Sequence, residues 1–173
     1  MNQSSPDKAL IARPSSQLLQ LLKSGQLLVL VDQPCTALIL QKAFHAEFVG
    51  PGAAVGGVFD LNTTAIYPLG NINFLSPETA LERKRAFHQR MGYIEALQGI
   101  TIEQTPLSRS NRIFSYLYEW VGQEVTQHIP DELIASLVGV FPETIAIARR
   151  QWSEDPVLSA ESLVTSRQAQ PQL

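Results

Sequence analysis

The chain has 173 residues and a mass of 19.1 kDa; 45% of the residues are hydrophobic, 17% are charged, and the net charge is −3 at pH 7. That size holds one ordinary domain or two small ones, and the low charged fraction with ample apolar content excludes wholesale disorder. The acidic balance gives no general attraction to phosphate, so contact with nucleic acid requires a local basic patch. The single cysteine, Cys35, excludes an intrachain disulfide and reads as a small buried hydrophobe. No apolar run approaches the ~20 residues of a membrane span. The opening MNQSSPDKAL lacks the apolar core of a signal peptide. The expectation is a soluble cytoplasmic protein with no membrane partner.

Residues 1–16 are polar and broken by proline, and read as a flexible tail. SSQLLQLLKSG carries leucines at 18, 19, 21 and 22 before Gly25, which predicts a short helix capped by Ser15 or Ser16. Beyond it, QLLVLV, CTALILQKAFHAEFV and AIYPLGNINFL are apolar segments separated by Pro34, Gly50-Pro51-Gly52, Gly56-Gly57, Pro68 and Gly70. Short apolar segments between such breakers predict strands, so residues 17–75 read as a small β-rich, roll-like module. LILQKAF is equally compatible with a helical turn. GPGAAVGG reads as a pair of β-turns, since it lacks the lysine and spacing of a phosphate loop.

At Ser76 the pattern changes. Ser76 as N-cap, Pro77 at the first helical position and Glu78 in the first turn open a long helix within 76–104. Ala80, Phe87, Met91, Ile94 and Leu97 recur at helical spacing and mark its apolar face, whereas Arg83, Lys84, Arg85 and Arg90 are assigned to the solvent face. Phe87, Met91, Ile94 and Leu97 are the candidate seam of a homodimer. Pro106 closes this helix. A second runs from about Ser108 to Val125, buried through Ile113, Leu117, Trp120 and Val121, and the rings of IFSYLYEW read as core packing.

IPDELIASLVGVFPETIAIARRQW, residues 129–152, has the spacing of a helix-turn-helix. With Asp131 as position one, such a motif wants a small residue at position five and glycine at nine, where the backbone takes positive φ. It wants apolar residues at four, eight, ten, fifteen and eighteen. The chain supplies Ala135 and Gly139, then Ile134, Val138, Val140, Ile145 and Ala148. An ordinary helical hairpin is the alternative. DPVLSAESLVTSR then reads as a short wing, which makes 105–166 a winged helix-turn-helix domain and 167–173 a tail.

The order of β-rich module, long helix, R-x-x-R-I helix (Arg109, Arg112, Ile113) and ELIASLVGVFPETI resembles the Crp/Fnr family of bacterial transcription regulators over roughly residues 20 to 165. The glycine-punctuated FVGPGAAVGGVF stands where that family has its roll. The resemblance implies an α+β protein: a small N-terminal β-roll-like sensor module, a long dimerisation helix and a C-terminal winged helix-turn-helix. It also implies a homodimer that binds DNA.

The departures define the rest. The family's Gly-Glu and Arg-Ser phosphate cradle is missing: the chain reads Gly56-Gly57-Val58 and has no arginine between Arg13 and Arg83. No cyclic nucleotide or other cofactor is therefore expected. The clustered cysteines of the iron–sulfur members are missing too. On the reading helix, Phe141-Pro142-Glu143-Thr144 and Ile147 replace Ser-Arg-Glu-Thr and a following arginine, which removes both guanine contacts. The remaining DNA-binding candidates are Glu143, accepting from cytosine, Thr144 on base or phosphate, and Arg149 and Arg150 on phosphates. From Asp131 to Pro156, five acids and two arginines leave a local net charge of −3, a poor start for counterion release.

His45, His88 and His128 have no ligand spacing, so no metal site is expected, and no nucleophile, phosphate-loop or paired-carboxylate pattern points to an enzyme. Two functions stand: a DNA-binding transcription regulator, or a protein-interaction scaffold that keeps the architecture and uses Phe141 and Ile147 to hold another protein.

Overall fold

The computed structural model describes residues 16–154. Within them the chain is mixed α+β, with two small antiparallel sheets and five helices. Helix α1 (Ser16–Lys23) buries Leu22 and half-buries Leu18, Leu19 and Leu21 before it. One sheet has the order β4-β1-β6, built from β1 (Leu27–Leu30), β4 (Ala54–Gly56) and β6 (Phe74–Leu75). The other has the order β3-β2-β5, from β2 (Ala37–Gln41), β3 (Ala46–Val49) and β5 (Ala65–Leu69).

Strand β2, between two neighbours, is apolar along Ala37–Leu40 and buried throughout. Its Ile39 pairs with Phe48 on one side and Tyr67 on the other. LILQ is therefore strand rather than helical turn. Pro68 sits in β5, which among the described residues has a partner on one side only and so tolerates a residue with no N–H. The GPGAAVGG segment is two turns on either side of β4. Cys35 departs from expectation: it is exposed and takes φ 55 in the turn before β2.

Helix α2 (Ala80–Thr101) starts later than the Ser76-Pro77 signal indicated. Thr79 is the N-cap and Glu82 closes a capping box: Thr79 Oγ1 accepts from the Glu82 N–H, and the Glu82 carboxylate accepts from the Thr79 and Glu78 N–H groups. These bonds hold the Glu82 carboxyl below the usual carboxylate range.

The buried face of α2 is also turned from the expected one. Ala86, Arg90, Tyr93, Leu97 and Ile100, spaced by four, three, four and three, face β3 and β4. Of the candidate seam, Leu97 is only 7% exposed and lies in the chain's own core, and Phe87 packs edge-on to Phe59 at 5.3 Å. Met91 is exposed and Ile94 is half-buried. Arg90, assigned from sequence to solvent, is buried because its acceptors Ala54 C=O, Glu47 and Asp60 all lie in the β-rich part of the chain.

Helix α3 (Pro106–His128) begins at Thr105, whose Oγ1 accepts from the Ser108 N–H, with Pro106 as the first helical residue. It breaks at Gly122 (φ 81, ψ 166) before its last turn. Ile113, Leu117 and Val121 are buried as expected, and Trp120 is half-buried. The aromatic rings form two clusters: Phe48, Tyr93, Tyr116 and Trp120, and Phe114, Tyr118 and Trp152. Burial pushes the Tyr93 phenol up to about 12, and it raises Tyr116 and Tyr118 as well. All the helices join the strands in one apolar core. Among the described residues no helix is long and apolar enough to cross a membrane.

Candidate functional site

Residues 129–152 fold into two helices, α4 (Asp131–Val138) and α5 (Pro142–Glu154). Ile134, Ala135, Val138, Ile145 and Ala148 are buried between and beneath them, and Val140 is half-buried. Gly139 takes φ 63, ψ 49 at the end of α4, the left-handed conformation that costs a side-chain-bearing residue free energy and glycine nothing. Phe141 then starts α5: its carbonyl accepts from the Thr144 and Ile145 N–H groups, and Pro142, with no N–H to satisfy, fills the first turn.

Two arginines hold this pair in place, and neither role is visible from local spacing. Arg109, on α3, donates from Nη1 to the Val138 and Gly139 carbonyls at 3.3 and 3.2 Å, so it caps the C-terminus of α4. Arg149 contacts the Asp131 carboxylate at 2.8 Å from Nε and 2.6 Å from Nη2. It also donates to the Thr126, Gln127 and Ile129 carbonyls at 3.3, 3.0 and 2.7 Å, and its guanidinium lies 5.3 Å from the Phe114 ring centroid. This corrects the sequence reading of Arg149 as a phosphate contact: its donors are directed inward, onto the end of α3 and the start of α4. Trp152 completes the underside of α5 with Nε1 donating to Asn111 Oδ1 at 3.2 Å.

The outward face of α5 carries Glu143, Ile147 and Arg150, spaced by four and three, all exposed. Thr144 is half-buried to one side. The face therefore offers one acid, one apolar side chain and one base, with Phe141 78% exposed at its start and Ile147 44% exposed at its middle. Of the four DNA-binding candidates, Glu143 and Arg150 share this face, Thr144 flanks it and Arg149 is turned away. The wing expected from DPVLSAESLVTSR, 155–167, lies outside the described residues.

Behind the α4–α5 turn, a cleft of about 640 Å³ separates the helical pair from the β2–β3 hairpin and α2. Phe44, Glu47, Leu97, Glu132, Ala135 and Val140 are among its walls, and among the described residues no lysine or arginine lines it. It is an apolar, weakly acidic space that disfavours anions. Elsewhere, Arg112 pairs with Glu103, and that bond together with Ser108 holds the Glu103 carboxyl below its usual range.

Comparison of the chain with protein-family models, with curated proteins and with solved structures found no match in any of the three.

Proposed function

We propose that this chain is a homodimeric DNA-binding transcription regulator of the Crp/Fnr type, without the usual cyclic-nucleotide site. In this reading the strands are a reduced β-roll, α2 is the dimerisation helix, and α4–α5 is a helix-turn-helix with α5 in the major groove. The observation that carries it is the α4–Gly139–α5 corner, with a left-handed glycine, a small Ala135 beneath the turn and a solvent-facing Glu143–Ile147–Arg150 row. Glu143 and Thr144 are the base or phosphate contacts and Arg150 the phosphate contact; Arg149 shapes the reader from beneath. The dimer seam uses Met91, Phe87 and Ile94, with exposed Leu81 and Ile102 extending it, while Leu97 serves the protomer's own core.

The experiment is fluorescence anisotropy of a labelled duplex titrated with protein across ~50 to 200 mM salt. A single Arg150 per reading face gives about two neutralised phosphates per dimer and a log–log salt slope near −2. Affinity that falls with salt and is lost in Arg150→Ala supports DNA reading. A folded dimer that fails to bind at the lowest salt sinks it.

The second reading is a protein-interaction scaffold. The exposure of Phe141 and Ile147 on a face with only one base, Arg150, favours it, because such a patch suits a protein surface better than phosphate.

A further inference from the structure

Where α2 crosses the β-rich part of the chain, four charged side chains meet, three of them buried and Glu47 partly exposed. Asp60 has no exposed surface, and Lys42 and Arg90 are each 7% exposed. Asp60 Oδ2 accepts from the Gly56 N–H at 2.7 Å, and its Oδ1 accepts from Lys42 Nζ at 2.8 Å and Arg90 Nη2 at 3.2 Å. Lys42 further donates to Thr63 Oγ1 at 2.9 Å and to the Phe59 carbonyl at 3.1 Å. Arg90 donates from Nη1 to the Ala54 carbonyl at 3.1 Å and from Nη2 to Glu47.

A backbone N–H in a glycine turn, an ammonium and a guanidinium converging on one point are the donor set that binds an oxyanion. Gly56 has φ +78, and a Cβ there would lie 2.4 Å from the Gln26 carbonyl oxygen, so only glycine presents this N–H. The three donors come from the end of β2, the end of β4 and the middle of α2. The occupant comes from four residues beyond Gly56.

We infer that Gly56, Lys42 and Arg90 form an oxyanion-binding cradle filled by the chain's own Asp60 carboxylate, which clamps α2 to the strands without an external ligand. A tethered carboxylate competes at a local concentration that a free anion does not reach, so the intact chain takes no anionic effector here. Lys42 and Arg90 balance Asp60 and Glu47 in charge. Removing the Asp60 carboxylate leaves one cation in excess and a vacancy of carboxylate size, and a small monocarboxylate is the ligand class that fits it. None of this depends on whether α5 reads DNA.

The test is urea unfolding of the full chain, followed by tryptophan fluorescence, for wild type and Asp60→Ala in sodium formate and in sodium chloride at equal ionic strength. In chloride the variant's midpoint falls by about 1–3 M, as expected when a buried charge loses its partner. Formate restores much of that loss in the variant and leaves wild type where chloride does. A variant as stable as wild type, or a formate effect equal in both proteins, overturns the inference. Should Asp60→Ala fold in neither salt, Asp60→Asn decides, since it keeps the size and loses the charge. It is expected to be destabilised and partly recovered by adding Lys42→Met; stability equal to wild type, or no recovery, again overturns the inference.

Discussion

Replacing Arg149 by alanine separates a structural arginine from a DNA-contacting one. The side chain makes two contacts with the Asp131 carboxylate, donates to three carbonyls and covers the Phe114 ring. Removing one partner of a fully buried ion pair costs about 3–5 kcal/mol. Here the two side chains retain 22% and 28% exposure, and water can reach part of the freed carbonyl surface, so the expected loss is about 2–3 kcal/mol. With a urea m-value of about 2 kcal/mol/M, the midpoint falls by about 1–1.5 M. Trp152, packed against Phe114 and Tyr118, reports the transition by fluorescence. Arg150→Ala, on the exposed face, shifts stability by less than about 0.5 kcal/mol. A double-mutant cycle with Asp131→Ala isolates a coupling of about 1 kcal/mol or more. Arg149→Ala within about 0.5 kcal/mol of wild type would refute the clamp and return Arg149 to the surface. Any DNA-binding assay on an Arg149 variant has to be read beside its unfolding curve, because loss of the clamp alone displaces α5.

Gly139→Ala is expected to lose about 1–2 kcal/mol in urea unfolding through the left-handed backbone alone. The space is sufficient, with the nearest atom, Arg109 Nη1, at 3.9 Å from the added Cβ; an unchanged midpoint counts against the corner. Thr79→Ala removes the side-chain half of the α2 capping box and is expected to cost about 1 kcal/mol by the same assay, whereas Ser76→Ala costs α2 no cap. Leu97→Ala opens the chain's own core and should lose about 2–5 kcal/mol. Met91→Glu should leave the core intact and shift the sedimentation coefficient towards the monomer, and a Met91→Glu chain that still sediments as wild type refutes the proposed seam. Tyr93, Tyr116 and Tyr118 should stay protonated through pH ~10 in the folded chain. Their raised folded values mean this stability is complete below the unfolded phenol value and is lost as pH rises towards the folded ones, about 12 for Tyr93. Phenolate absorbance near pH ~10 at about half of the four-tyrosine total, as four ordinary phenols give, with the fold intact would contradict this.

The sequence by itself determined what short-range sterics control. Gly139 eight residues after Asp131, Ala135 beneath the turn and the apolar spacing of Ile134, Val138, Ile145 and Ala148 specify two helices and a tight corner, because every constraint lies within about five turns of chain. The breakers from Pro34 to Gly70 likewise marked a region of short strands. Helix boundaries were less legible. Ser76-Pro77 predicted the start of α2, whereas the reciprocal capping box at Thr79 sets it three residues later, because Glu82 satisfies two N–H groups at once.

The tertiary structure alone decided which charged residues are structural. Arg90 and Met91 are neighbours on one helix, and helical periodicity placed Arg90 in solvent, where the fold instead buries it and leaves Met91 exposed. Arg90 is buried because its acceptors Ala54, Asp60 and Glu47 lie 30 to 43 residues away. Arg149 is turned inward by Asp131, 18 residues back, and by the carbonyls at the broken end of α3. A charge is withdrawn from water only where partners compensate its desolvation, and those partners are assembled by the fold, not by spacing along the chain.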